Sequence, residues 1–384
     1  LSLPMKPAKL SDERWMEKAL ALARRGEALA HPNPMVGAVL VRDGRVVGEG
    51  FHTYDGLRHA EILAIEQAGN RARGSTLYLN LEPCCHAGRT GPCTEAIITA
   101  GIRCVVASMA DPNPLVSGKG FRRLRRAGVE VAIGPGAEEA LRLNEAFAMW
   151  IRGRRPFLTL KAAATLDGQI SLTGLREKPR ARSRQRWISS EISRARVQTL
   201  RHASDAVLTG IGTILADDPL LTDRSGLPRR RRLLRVVLDS RLRLPLDSQI
   251  VRTAQDDVLV FTFRSPESPA ARRLAERGVR VIRVKGRGGH IDPAAVLAEL
   301  GREGILSVLV EAGARINGAL LGRGLVDKLV LFYAPRVLGR ETVPLARTAS
   351  GIVNPLASLT RMQVGQSGPD LVVEGYLRDV YRDH

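Results

Sequence analysis

Residues able to bind zinc gather in one short stretch of this chain. His59-Ala60-Glu61 comes first, then Cys84 behind Glu82-Pro83, then Cys93 behind Pro92. Zinc takes nitrogen and thiolate ligands in a tetrahedron, and a catalytic zinc keeps three protein ligands and leaves the fourth position to water. His59, Cys84 and Cys93 supply one nitrogen and two sulfurs. Cys93 opens a predicted helix, whose N-terminal partial charge favours thiolate. Glu61 stands two residues past the histidine, so it can face the water without ligating and carry its proton to a leaving amine.

The order H-x-E…P-C…C is the pattern of zinc nucleobase deaminases. Its general form has two residues between the cysteines, whereas here positions 85 to 92 intervene. By residue type alone, Cys85 or His86 therefore stays open as a ligand. Adjacent Cys84 and Cys85 would chelate one metal awkwardly, and Cys93 has the helix start, which favours Cys93. All four cysteines (Cys84, Cys85, Cys93, Cys104) and four of the seven histidines (His31, His52, His59, His86) lie in this first part. Such clustering points to metal or catalysis rather than to a disulfide framework.

The elements that must hold these groups alternate. Ser11 reads as an N-cap, with Asp12 and Glu13 in the first turn and Gly26 closing the helix. Val36–Val41 and Arg45–Gly50 read as a hairpin around Asp43-Gly44. Helix His59–Ala68, strand Leu77–Leu81, helix Cys93–Ala100, strand Cys104–Ser108, helix Gly118–Ala127, strand Val129–Ile133 and helix Ala137–Trp150 follow. This pattern implies a three-layer α/β domain over residues 10–151. Arg152-Gly-Arg-Arg-Pro156 reads as a linker. A second α/β domain, 156–380, expected to hold a mixed sheet, has strand-like runs at Phe157–Ala163, Ala206–Gly210, Leu234–Leu238, Val258–Phe263, Val279–Val284, Ser307–Val310 and Lys328–Ala334. Helical segments Ser190–His202, Pro269–Arg277, Asp292–Glu303 and Asn317–Leu325 lie between them.

The second domain is chemically quieter. Gly210-Ile-Gly212-Thr213 and the Gly313–Gly318 run could cradle phosphate through backbone N–H groups. The dinucleotide pattern G-x-G-x-x-G is absent, so no Rossmann domain is expected. The chain has 384 residues, a net charge of +20 and a pI near 10.9. That charge raises nucleic acid as a partner, but the basic residues are scattered and aromatics make up only 4 %, leaving few stacking platforms. No apolar run is long enough to span a bilayer, and Leu1–Leu10 lacks the layout of a secretory signal. A cytoplasmic enzyme is the expectation.

At this point the motifs resemble a known family. Pro32-Asn33-Pro34-Met35-Val36-Gly37, His59-Ala60-Glu61, Glu82-Pro83-Cys84, His86-x-Gly88-Arg89-Thr90 and Asp111-Pro-Asn113-Pro are similar to the bifunctional riboflavin-biosynthesis deaminase/reductase family, RibD. So are Leu166-Asp167-Gly168, Ala216-Asp217-Asp218-Pro219, Leu238-Asp239-Ser240 and Glu311-Ala-Gly313. The resemblance implies a cytidine-deaminase-like domain followed by a dihydrofolate-reductase-like domain. It implies one Zn2+ per chain on His59, Cys84 and Cys93, with Glu61 catalytic, and a pyrimidine pocket of Asn33, His52, Arg89, Asp111 and Asn113. The family's long cysteine spacing matches Cys84 and Cys93, leaving Cys85 a bystander.

In the second domain the resemblance implies NADPH bound by Ala163, Trp187, Thr213, Asp217, Ser240 and a loop of Gly313, Ala314, Arg315, Ile316, Asn317, Gly318 and Ala319. Lys161, Gln185, Arg201, Leu221, Arg224 and Glu311 would hold the substrate, with Arg201 and Arg224 on its phosphate. A homodimer or tetramer through the reductase domain is implied as well. Four features depart from the family: Cys85 replaces a usual Ser, Gly91 a usual Pro, the basic run Ser171–Arg186 is longer than usual, and Gln185-Arg186 before Trp187 lacks the hydroxyl of the usual Ser-Gln-Trp. That run is expected to be either a lid over NADPH or a solvated loop. Two other readings compete: a deaminase whose reductase half has lost catalysis, and a nucleic-acid-directed deaminase.

Overall fold

The computed structural model describes residues 10–86, 91–172, 187–287, 289–339, 342–347 and 358–381. Its contacts divide the chain into two units. One is Leu1–Arg154 with Pro228–Arg230, the other Arg155–Leu227 with Arg231–His384.

The first unit begins with α1 (Leu10–Arg24), β1 (Gly37–Arg42), β2 (Arg45–Phe51), α2 (Ala60–Ala68), β3 (Thr76–Leu79) and α3 (Cys93–Thr99). It continues with β4 (Cys104–Ala107), α4 (Lys119–Arg126), β5 (Glu130–Ile133), α5 (Ala137–Leu143) and α6 (Glu145–Gly153). The strands form one sheet in the order β2-β1-β3-β4-β5, antiparallel at β1 and parallel from β3 to β5. Alternation along the strands sorts their side chains. Ala38, Leu40, Leu77, Leu79 and Val105 pack with Ala60, Ala64 and Ala68 of α2, Ile97 of α3 and Leu124 of α4. Tyr78 points to the opposite face, where its hydroxyl donates to Asp12 of α1 (2.8 Å). Helices thus cover both faces. Gly50 lets α2 lie close on β2, since a Cβ there would stand 2.6 Å from the Ala60 carbonyl oxygen.

Two local expectations change. α1 already includes Leu10, so Ser11 lies inside the helix rather than at its cap. The single helix expected over Ala137–Trp150 is two helices broken at Asn144. Asn144 is buried, and its side-chain amide accepts from the Met35 N–H (2.8 Å) and donates to the Met35 carbonyl (3.1 Å). A tertiary bond to the loop before β1 accompanies the break that local propensity did not announce.

The second unit opens with β6 (Phe157–Thr165), β7 (Gln169–Leu172), α7 (Glu191–His202), β8 (Ala206–Gly210), α8 (Ile211–Asp217) and β9 (Leu234–Leu238). Next come α9 (Gln249–Arg252), β10 (Val258–Thr262), α10 (Pro269–Ala275), β11 (Val279–Arg283), β12 (Gly286–Arg287) and β13 (His290–Ile291). It ends with α11 (Pro293–Arg302), β14 (Ser307–Val310), α12 (Ala314–Leu321), β15 (Lys328–Ala334), β16 (Thr342–Pro344), β17 (Thr360–Ser367) and β18 (Asp370–Tyr376). A nine-stranded sheet runs β11-β10-β9-β8-β14-β6-β15-β18-β17. Its first seven strands are parallel, and the β17–β18 hairpin closes one end antiparallel.

Strands such as β8 and β10 are buried at every residue, as strands sandwiched between two helix layers must be. Leu208, Val236, Phe261 and Val308 pack with Val296 and Leu300 of α11, while Val207, Val237 and Val260 pack with Ile214 of α8 and Leu274 of α10. The hairpin was not expected, because β17 is exposed at nearly every position and its only large apolar residues are Met362 and Val364.

The strand order creates a switch point. From β8 the chain walks outward through β9 to β11, then β14 returns to lie between β8 and β6. Ligands bind such sheets outside the carboxyl ends of the strands, where the winding reverses. α8 and α12 start directly beyond β8 and β14.

Candidate active sites

In the first unit, His59 is the extended residue just before α2, and Cys93 is the first residue of α3. Cys84 lies on the segment leaving β3. The backbone N–H of Cys93 donates to the Cys84 sulfur (3.3 Å), and that of Thr94 donates to the Cys84 carbonyl (3.1 Å). His59 Nδ1 lies 3.1 Å from Cys93 Sγ and 3.6 Å from Cys84 Sγ. Among the described residues, these three form the cluster able to hold a metal, with ligand atoms all within 4.8 Å of one another.

Ligands about 2.0 Å (nitrogen) and 2.3 Å (sulfur) from one zinc, at tetrahedral angles, stand about 3.5 Å apart. The observed spacing fits that ion. The hydrogen bond from Cys93 is the chief cause holding the Cys84 thiol low, at about 4, and the same bond pushes the Cys93 thiol up. Both sulfurs must be thiolate to ligate, so metal binding here releases protons.

Glu61, in the first turn of α2, is buried. Burial, and next the Cys84 charge, push its carboxyl above the usual range. A carboxyl so shifted suits proton transfer near neutral pH. Cys85 is outside the ligand cluster, and burial followed by the Glu82 charge raises its thiol.

The expected pyrimidine pocket is partly visible. His52 Nδ1 meets the Arg58 carbonyl (3.0 Å), which can only accept, so Nδ1 donates and Nε2 accepts from Asn33 Nδ2 (3.0 Å). The His52 and His59 rings stand edge to face, 5.2 Å apart. Asp111 accepts from the Asn113 N–H (2.8 Å), and Asn113 accepts from the Leu115 N–H (3.0 Å). Burial pushes the Asp111 carboxyl up to about 6, against the Asn113 bond. Arg89 lies outside the described residues.

Sequence reasoning gave no role to three groups beside these. Asn80 and Asn144 clamp Met35 in the loop after Asn33. Glu82, buried, accepts from four backbone N–H groups. The available signal was a lone acid at the end of an apolar strand, since a buried charge demands partners.

In the second unit, Lys161 of β6, Arg201 of α7 and Glu311 beyond β14 meet. Glu311 accepts from Arg201 Nε (2.6 Å) and Nη2 (3.1 Å) and lies 3.5 Å from Lys161 Nζ. Burial pushes Glu311 up, but the Lys161 and Arg201 charges and hydrogen bonds outweigh it and hold the carboxyl low. Arg201 is therefore an internal tie rather than part of a solvated helix face. One face of α7 also holds the next loop. Arg201 donates to the Thr222 carbonyl (3.0 Å), His202 Nδ1 lies 3.0 Å from Asp223 Oδ2, and Gln198 accepts from the Arg224 N–H (3.0 Å). In that loop Leu221 is buried at φ +55°, a conformation Leu rarely adopts, and Arg224 is exposed.

The expected NADPH residues are less uniform. Thr213 lies in the first turn of α8, and Asp217 is exposed at its end. Ser240 follows β9, and its carbonyl accepts from the Phe263 N–H (3.2 Å). Ala163 packs in the cluster of Val197, Val330 and Phe332. Trp187 is 57 % exposed, with Arg194 over its ring, so it does not serve as core packing.

The Gly313–Ala319 run is not a loop. Only Gly313 is extended, and Ala314–Leu321 is helix, starting three residues earlier than expected. Gly313 and Arg315 lie at its start. Ile316 leans on Gly210 and Ala319 is half-buried. Asn317 is buried and donates to the Leu345 carbonyl (2.8 Å), and Gly318 lies against the Arg347 backbone. Helical turn geometry aims these last two into the protein. The crevice still fits a dinucleotide: a Cβ on Gly212 or Gly313 would meet nothing, and Thr209 Oγ1, at the end of β8, is buried without a hydrogen-bond partner. Gln185 and the 173–186 part of the basic run lie outside the described residues.

The chain is thus a zinc-site deaminase domain joined to a reductase domain. Residues 9–109 match the family model described as the cytidine and deoxycytidylate deaminase zinc-binding region, and residues 156–373 match the RibD C-terminal domain. The riboflavin biosynthesis protein RibD of Aquifex aeolicus is 40 % identical over 94 % of this chain and 97 % of that protein. Its namesake from Escherichia coli is 41 % identical over 86 % and 90 %. A solved RibD structure from Acinetobacter baumannii superposes with TM-score 0.82 at 36 % identity, covering 95 % of this chain and 98 % of that one. The Thermotoga maritima structure titled diaminohydroxyphosphoribosylaminopyrimidine deaminase/5-amino-6-(5-phosphoribosylamino)uracil reductase gives 0.77 at 34 % identity, covering 95 % and 98 %. The chain belongs to the RibD family, the bifunctional deaminase/reductases of riboflavin biosynthesis.

Proposed function

We propose that this chain catalyses two successive steps of riboflavin biosynthesis. The first is hydrolytic deamination of 2,5-diamino-6-(5-phosphoribosylamino)pyrimidin-4(3H)-one. The second is NADPH-dependent reduction of the ribosyl group of 5-amino-6-(5-phosphoribosylamino)uracil to ribityl. The convergence of His59, Cys84 and Cys93 on one metal-sized space, with buried Glu61 beside it, carries the reading. Residues 10–151 are the deaminase and 156–380 the reductase.

His59, Cys84 and Cys93 hold the ion. Zinc, when bound, supplies the Lewis acidity that makes water a nucleophile at neutral pH. Glu61 takes the proton from the attacking water and delivers it to the departing amine, so water enters and ammonia leaves. Asn33 and the His52 tautomer fixed by Arg58, together with Arg89, Asp111 and Asn113, hold the ring. In the second unit NADPH supplies the hydride. Gly313 to Arg315 at the start of α12, Thr213, Asp217, Ser240, Ala163 and Trp187 receive the cofactor. Lys161, Gln185, Leu221 and Glu311 line the substrate pocket, and Arg201 and Arg224 face its phosphate.

No helix among the described residues is long and apolar enough to cross a membrane. We assign the enzyme to the cytoplasm, without nucleic acid as substrate. The exposed edge strand β17, bearing Met362 (60 % exposed) and Val364 (62 %), supports self-association through the reductase domain. Zinc analysis with a two-step assay tests the whole reading: one zinc per chain, ammonia release, then NADPH loss on the deaminated product. Ammonia release without NADPH loss would support an inactive reductase half instead.

A further inference from the structure

Glu82 is 3 % exposed, it lies outside the proposed metal cluster, and its four hydrogen-bond donors are all backbone N–H groups. Its two oxygens do different things. Oε2 accepts from the N–H of Asp111 (3.1 Å) and of Gly118 (2.8 Å), the two ends of one loop. Oε1 accepts from the N–H of Gly120 (2.8 Å) and Phe121 (3.2 Å), in the first turn of α4. Such a carboxylate is held by charge-assisted bonds and by the N-terminal dipole of the helix. The approach is close on the backbone too, since a Cβ on Gly120 would lie 2.1 Å from the Pro83 carbonyl oxygen. Two residues on from Glu82, the chain delivers Cys84.

We infer that Glu82 is the positioning residue of the deaminase pocket. One of its oxygens pins the Asp111–Gly118 loop shut, the other anchors α4, and its own backbone leads to the metal ligand. The loop it closes carries Asp111 and Asn113, whose side chains are already committed to local turns. Their placement relative to Cys84 therefore rests on this carboxylate. The inference builds on the reading of Asp111 and Asn113 as pyrimidine-binding residues.

The test uses the full-length chain loaded with zinc. Glu82→Gln keeps the shape but turns an NH2 group toward N–H donors, either those of the loop or those of α4. We expect zinc content and reductase turnover on the deaminated substrate to stay at wild-type level. The deaminase KM should rise about ten- to a hundred-fold, the order of effect expected from losing a hydrogen bond to a charged group, with kcat changing much less. Glu82→Asp keeps the charge but cannot span both sets of donors, and it should also raise KM, by a smaller factor.

An unchanged KM in Glu82→Gln overturns the inference, and so does loss of zinc with KM intact. If Glu82→Gln fails to fold, seen as loss of helical circular dichroism and of the first unit's melting transition, Glu82→Asp decides by the same criteria. Asp111→Asn separates the two claims. If it leaves KM untouched, the pocket reading itself fails. If it raises KM while the Glu82 variants do not, only the positioning role falls.

Discussion

Replacing each candidate thiol by serine tests the metal site directly. Cys84 and Cys93 each present sulfur to the His59 nitrogen, at 3.6 and 3.1 Å, whereas Cys85 lies outside the cluster. Four-ligand structural zinc sites bind with roughly 10–16 kcal/mol, so each ligand accounts for roughly 2.5–4 kcal/mol. At about 1.4 kcal/mol per factor of ten, Cys84→Ser and Cys93→Ser should each lose about 10²- to 10³-fold in zinc affinity. Serine keeps the size of the side chain but is a poor zinc ligand near neutral pH, so the loss reports ligation rather than packing. Cys85→Ser should bind zinc like the parent chain. The assay is zinc per chain after dialysis against a graded series of chelator, with far-UV circular dichroism as a check on folding. Wild-type zinc retention by Cys93→Ser would refute the assignment, as would a Cys85→Ser chain emptied at wild-type chelator levels.

Other outcomes follow from the same geometry. Glu61→Gln should keep its zinc and lose about 10²- to 10⁴-fold in deamination rate, the usual share of general acid–base catalysis; near-normal ammonia release would remove Glu61 as proton carrier. Burial raises the Asp111 carboxyl to about 6, so its ionisation opposes folding. Its contribution is favourable at low pH and is lost as pH climbs from about 4 through about 6, at a cost of about 3 kcal/mol. The stability of Asp111→Asn relative to wild type should therefore rise from about pH 4 to about pH 6 and level off above, and a difference that stays constant with pH would contradict this. Glu311 is held low instead, so its stabilisation is present above the ordinary carboxylate range and fades as pH falls through its folded value. Glu311→Gln leaves Lys161 and Arg201 facing each other without it. It should cost about 3–5 kcal/mol in the second unit at about pH 7 and abolish NADPH oxidation while ammonia release persists; equal loss of both activities would argue against it.

The chemistry of the first domain was legible in the chain. His59, Glu61, Cys84 and Cys93 are rare residue types at fixed offsets from helix starts and a strand end, and local rules place them. The parallel strands of the second domain were legible too, because strands buried on both faces read as continuous apolar runs. What the residues alone left open was which thiol completes the site, and the fold favours Cys93, whose Sγ lies 3.1 Å from His59 while Cys85 is outside the cluster.

Non-local features were invisible for one reason: their partners lie far along the chain. Asn144 breaks a helix where its side chain bonds Met35, 109 residues away. The Gly313 run looked like a phosphate loop, yet all but its first residue is helix, with Gly318 against Arg347 and Asn317 against Leu345. Glu82 looked like the first letter of a cysteine motif, and only the approach of the start of α4 to Glu82-Pro83 makes it the anchor of a loop 29 to 36 residues downstream. Residue types and spacing thus determined which atoms could do chemistry, because ligand preference and helix caps are local properties. The tertiary structure decided which of those atoms meet and what holds them there, because buried polar groups take whatever partner the fold supplies.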